Sequence, residues 1–279
     1  MVPYVKAWAL QLADTMQARL PAEIRDIIYS YIWDKATITA YPDLSKVAGG
    51  SKCLDDACTC SKPHEPPALP YFVEPTFMGP SIACEIVRAL YDAFHFKGEP
   101  VTVRRPEHIK TAVAKDVFHV GLDPGQHLRS LVLRIKLDRL RTPRIICDRT
   151  DLCRHDVAEK VYIEKDDLQE LLSTLLYVKH KARFGLRIVF FQRNVRVAVL
   201  EEALLVLEPV RRTFQRRGAT VNVDWCYRGH WVGGRDMVPG LLVAKDMDDF
   251  FDLPRMSWKT NMIQFLLQVS IVASCSRLC

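Results

Sequence analysis

The chain is poor in catalytic signatures. None of G-x-G-x-x-G, G-x4-G-K-[ST], G-x-S-x-G or H-E-x-x-H occurs in its 279 residues. Nucleotide-loop, nucleophile-elbow and zinc-protease chemistry therefore have no motif here. A large excess of one charge is also missing. Lys and Arg total 39 against 33 Asp and Glu, a net charge of +6. That is less than a dedicated nucleic-acid binder carries, and no helix-turn-helix, zinc-finger or RNP pattern accompanies it. The nine cysteines are odd in number and scattered, too sparse for a secreted disulfide scaffold. The first 20 residues lack a clean apolar signal core, because Lys6, Gln11, Asp14 and Gln17 interrupt them. No run supplies the roughly 20 apolar residues of a membrane span. The nearest, Met262 to Cys275, is broken by Gln264, Gln268 and Ser270. Mean hydropathy is −0.02. These absences lead to an expected intracellular protein with free thiols, no cofactor and no membrane partner.

What is present is near the globular average: 49% apolar and 26% charged residues. The length suits one large domain or two small ones and a sizeable core. Val5, Trp8, Leu12 and Met16 fall near helical spacing. A second helix starts at Leu20, with Pro21 in its first turn and Glu23 at the positive end of its dipole. On it Ile24, Ile27, Ile28 and Tyr31 follow the i, i+3, i+4, i+7 rule. Residues 35–70 are punctuated by Pro and Gly and read as a long loop. Ser81 to Phe94 is a helix that Ser81 would cap, and His95-Phe96 would begin a strand. Leu131, Leu133, Ile135 and Leu137 alternate with polar residues and Val132, as in a half-buried strand. A helix over Asp166–His180 carries a stripe of Leu168, Leu171, Leu172, Leu175 and Leu176. Strands at Leu186–Phe191 and Val221–Trp225 flank a helix from about Val199 to Arg217, with Pro209 as a kink or restart and Gly218 as its stop. The expected fold is α/β or α+β. N-terminal helices pack with a small mixed sheet that contains a parallel βαβαβ core. The expected divisions are 1–34, 35–70, 71–258 and an apolar tail at 259–279.

The segment Leu20-Pro-Ala-Glu-Ile-Arg-Asp-Ile-Ile-Tyr-Ser-Tyr-Ile-Trp33 resembles the opening of F-box-like proteins. The likeness is to the filamentous-fungal group that begins with an LPxEIRxxIY helix. Ser81 to Phe96 and the strand LRSLVLRIKL are similar to later segments of that group. The resemblance implies a non-catalytic adaptor. Its F-box helix would dock a Skp-type partner of a ubiquitin ligase, while the rest presents a surface to an unknown target protein. By position, Leu20, Pro21, Ile24, Ile27, Ile28 and Tyr31 would be the protein contacts, a helix laid in a groove. After Trp33 the chain enters the loop stretch where the family continues with helices. The alternative for the same face is packing against the chain's own sheet.

Other chemistry is weighed on the same residues. Cys53, Cys58, Cys60 and His64 form C-x4-C-x-C-x3-H, whose spacing departs from structural zinc sites; free loop thiols are the alternative, and no metal is expected. A glycine loop at 229–234 with His230, Arg235 and Asp236 follows the third strand, where open α/β sheets hold ligands. A small-molecule enzyme at that edge is one alternative function. Arginine groups at 129–154 and 211–217 suggest another, the binding of nucleic acid or an acidic partner. Helix-dipole partners and a solvated face are the plainer readings of those arginines.

Overall fold

The computed structural model describes residues 2–40, 69–97, 100–104, 106–137, 140–141, 163–192, 197–228, 242–254, 257–258 and 260–264. The chain opens with α1 (Val2–Arg19), α2 (Ala22–Ile32) and α3 (Lys35–Ala40). After these come α4 (Pro75–Met78) and α5 (Pro80–Phe96). Next are β1 (Val101–Val103), α6 (Ile109–Ala114), α7 (Pro124–His127) and β2 (Ser130–Lys136). The short strands β3 (Leu140–Arg141) and β4 (Ile163–Glu164) pair with each other. The chain continues with α8 (Lys165–Ser173), β5 (Gly185–Gln192), α9 (Val197–Arg216) and β6 (Thr220–Arg228). Last come β7 (Leu242–Asp246) and α10 (Asp248–Asp252).

The main sheet has the order β1-β2-β5-β6-β7. Its first four strands are parallel and β7 closes it antiparallel. The expected mixed sheet with a parallel βαβαβ core is therefore present, as β2-α8-β5-α9-β6. Alternation explains its core face. Leu131, Leu186 and Val221 stand in one row, Leu133, Ile188 and Val223 in the next, and Ile135, Phe190 and Trp225 in a third. All are buried, in one cluster with Ile86 and Leu90 of α5, Leu168 and Leu172 of α8, and Leu204 and Leu207 of α9. The strand order advances in one direction. Crossovers of a constant hand then place their helices on one side of the sheet. The opposite face carries a separate small cluster of Val132, Val189, Cys226 and Phe191. Val132 is thus buried on that second face, although strict alternation would have left it outside. Cys84 and Cys226 hold free thiols.

Several expectations change at element ends. Ser81 does not cap α5. The helix begins at Pro80 after Gly79, whose φ of +73° suits glycine, and the Ser81 hydroxyl accepts from Gln17 Nε2 at 2.9 Å. His95 and Phe96 do not start a strand. The helical ladder continues past them, with the Lys97 N–H donating to Ala93 at 3.0 Å. The helix expected to reach His180 ends at Ser173 and tightens into a 3-10 turn over Thr174–Tyr177. Lys181 Nζ donates to the carbonyls of Leu176 (2.6 Å) and Val178, capping that turn. Leu168, Leu172 and Leu175 stay buried while Leu176 swings out. The helix α9 stops before Gly218, whose φ is +81°, as expected, but it runs through Pro209 as one element where a kink or restart was expected.

The first six residues of the expected 35–70 loop are helical, started by Asp34, whose carboxylate accepts from the Thr37 N–H at 2.6 Å. Residues 41–68 of that loop lie outside the described residues, as does the tail beyond 264. Among the described residues no helix is long and apolar enough to cross a membrane. The core runs unbroken from Ala9 and Ala13 through Tyr29 and Trp33 to the sheet and Met262. The 1–34 and 71–258 portions therefore share one interior.

Candidate functional site

The resemblance pointed to α2, and this helix has two apolar stripes. One comprises Ile24, Ile27 and Tyr31; the other comprises Ile28, Tyr29, Ile32 and Trp33, with Arg25 among them. The fold buries the second. Tyr29 and Trp33 are fully buried, and Ile28 and Ile32 pack half-buried against the core. The first faces outward, with Ile24 43%, Ile27 53% and Tyr31 80% exposed. Leu20 is half-buried and Pro21 is exposed. Pro21 sits at the N-cap position, one residue before the first helical turn, and its carbonyl accepts from Ile24 (3.2 Å) and Arg25 (3.1 Å). Of the six named residues, Ile24, Ile27, Tyr31 and Pro21 lie open to solvent. Ile28 leans into the core beside Tyr29.

What fixes α2 is a polar clamp on α5. Arg25 meets Glu85 as a fork, with Nε to Oε2 and Nη2 to Oε1 both at 2.9 Å. Such two-pronged pairs are the most directional of protein ion pairs. The Tyr29 hydroxyl donates to Glu85 Oε2 at 2.9 Å, and Trp33 Nε1 donates to the Ile86 carbonyl at 2.8 Å. Arg25 Nη1 also reaches back to the Leu20 carbonyl at 2.6 Å, tying the Leu-Pro turn to the clamp. Asp26 adds an outer pair with Arg88 at 3.5 Å. The Trp33 ring meets Phe72 edge-on, centroids 5.3 Å apart. Arg25 and then Tyr29, by hydrogen bonding, hold the Glu85 carboxyl below the usual carboxylate range, against the opposing pull of burial. Burial, aided by Glu85, pushes the Tyr29 phenol above its ordinary value.

Arg25, Tyr29, Trp33 and Glu85 were not among the expected site residues. The first three recur at i, i+4, i+8 along α2 and its C-cap, a spacing visible in the sequence, but Glu85, the partner of Arg25 and Tyr29, is 60 residues from Arg25. The arrangement can present a rigid apolar ridge to a groove. It brings together no nucleophile, base and orienting group.

No family model, curated protein or solved structure matches this chain.

The other sequence candidates fall as follows. Cys53, Cys58, Cys60 and His64 lie outside the described residues, as do His230, Arg235 and Asp236. Among the described residues no cluster of metal-binding side chains is formed. The parallel strands follow one another without reversal, so the described sheet has no switch point of the kind at which such sheets hold ligands. Of the arginines, Arg211 lies over the Phe251 ring at 4.4 Å and faces Asp248 at 3.5 Å. Arg212 pairs with Glu208 at 2.5 Å. Arg216 and Arg217 are exposed. Arg134 and Arg187 stand on the second face of the sheet, Arg187 bonded to Asp224 at 2.6 Å.

Proposed function

We propose that this chain is a non-catalytic protein-interaction protein. It docks a Skp-type partner through α2 in the manner of an F-box-like adaptor and offers the rest of its surface to a target. One observation carries this reading. On a helix that already has a well-filled aromatic side, the side turned to solvent carries an apolar row, Ile24, Ile27 and Tyr31, flanked by the exposed Glu23, Asp26 and Ser30. Isolated exposed apolar residues are ordinary, but an aligned ridge is what a groove-binding helix presents. The clamp to Glu85 supports the same reading, because it holds the ridge in one pose before binding and so lowers the ordering cost of association. The test is co-purification of the full chain with a co-expressed Skp-type protein. The native chain is expected to retain that partner. Ile24→Asp with Ile27→Asp is expected to lose it while melting at the same temperature. Retention by the double variant would reject the docking surface.

A further inference from the structure

Because β1, β2, β5 and β6 are parallel, the segments that lead into them lie side by side on one edge of the sheet. Backbone bonds join three of these segments. The Gly185 N–H donates to Arg129 at 2.9 Å, the Arg183 N–H to Gly218 at 3.0 Å, and the Thr220 N–H to Phe184 at 2.9 Å. The sequence loads them with cations that are far apart along the chain: Arg129 before β2, Lys179 to Arg183 before β5, and Arg216 and Arg217 before β6. Adjacent strands are about 4.8 Å apart, so the three segments span about 10 Å.

Arg183, Arg216 and Arg217 are exposed and Arg129 is half-buried. Lys179 is neutralised by Asp123 at 2.9 Å, and Lys181 is sunk over the Phe214 ring and against two carbonyls. Among the described residues no carboxylate pairs with Arg129, Arg183, Arg216 or Arg217. The positive charge of Arg217 is felt at Lys181, whose pKa is lowered first by burial and then by that arginine. The dipole of α9 accounts for Arg216 and Arg217 at its C-terminus. It does not account for Arg183, which sits in a turn at φ +63°, a left-handed conformation that favours glycine. On the same segment before β5 as Arg183, Leu176 and Tyr177 project into solvent, the Leu176 carbonyl held by Lys181.

We infer that this amino edge of the sheet, at Arg129, Arg183, Arg216 and Arg217, is a docking surface for an acidic protein segment. An apolar residue of that segment covers Leu176 and Tyr177. Guanidinium forks match carboxylates in geometry as well as charge. A nucleic-acid strand fits less well, since the cations make a short cluster rather than a track, and the exposed rings on the segment before β5 are one phenol, Tyr177, and one imidazole, His180, too few to stack successive bases. The surface uses no residue of α2 and does not depend on Skp docking.

The test is fluorescence anisotropy with the full chain, using a labelled oligoglutamate peptide with one central leucine and, in parallel, a labelled single-stranded oligo-dT. The peptide is expected to bind. Arg183→Glu with Arg217→Glu should weaken it at least about tenfold, since like charges then face each other, and should leave the melting temperature unchanged. If that variant unfolds, Arg183→Gln with Arg217→Gln replaces it, with a smaller loss expected. No peptide binding, binding indifferent to either pair of substitutions, or tighter binding of oligo-dT would each overturn the inference.

Discussion

Glu85 receives three side-chain hydrogen bonds from α2, two from Arg25 and one from Tyr29. Its side chain and that of Arg25 are mostly covered, at 18% and 12% exposure. Removing one member of such a set leaves the others wanting a partner. Glu85→Ala is therefore expected to cost about 1.5–3 kcal/mol in urea unfolding, the range for hydrogen bonds to a charged group. The pH dependence has a definite sign. The folded carboxyl titrates below its unfolded value, which is about 4.3. Its contribution is complete above that value and fades as pH falls through the folded one. The melting-temperature gap between the native chain and Glu85→Gln should accordingly be widest near neutrality and narrow as pH falls below the unfolded value; a gap that widens on acidification would contradict this. Trp33→Phe keeps most of the ring packing and loses the bond to Ile86, for an expected cost of about 1 kcal/mol by the same unfolding measurement.

At the scale of elements, α1 is packed in reverse of the usual preference. Its buried residues are Ala9 and Ala13, while Tyr4, Trp8 and Leu12 face solvent, Trp8 at 58% exposure. The sequence stripe of Val5, Trp8, Leu12 and Met16 is real, but only Met16 turns to the core. Ala13→Leu should overfill the contact and destabilise by about 1–3 kcal/mol. Trp8→Ser should stay within about 0.5 kcal/mol. Chemical denaturation of the two variants checks the contrast, and equal costs would contradict it. The reversal also marks how far sequence patterning reached. Strands β2 and β6 were legible because alternation over seven or more residues points to a face, and β5 because its run is apolar on both faces apart from Arg187, as in an interior strand. β1 has three residues, too few for any period, and β7 lies at the sheet edge. The end of α8 was not legible because Lys181, beyond the helix, supplies its closing bonds. On α2 the helix was legible but its buried side was not, since both stripes are apolar. The choice rests on Glu85 and Ile86 of another helix.

Across the whole molecule, helices from the first forty residues share one core with the sheet. Their melting should coincide: far-ultraviolet dichroism and tryptophan fluorescence are expected to give one common transition, and two separated transitions would show that α1 and α2 form an independent unit. The described residues then read as one cored unit with an apolar ridge on α2 and a cationic edge at the amino ends of the strands. The central claim is that the ridge, and not the bulk of the body, engages a Skp-type protein. Calorimetric titration of the purified full chain with a purified Skp-type protein tests this most directly. Binding is expected for the native chain and none for Ile24→Asp with Ile27→Asp, with both proteins melting alike. Equal binding by the two, or no binding by the native chain, would contradict the account.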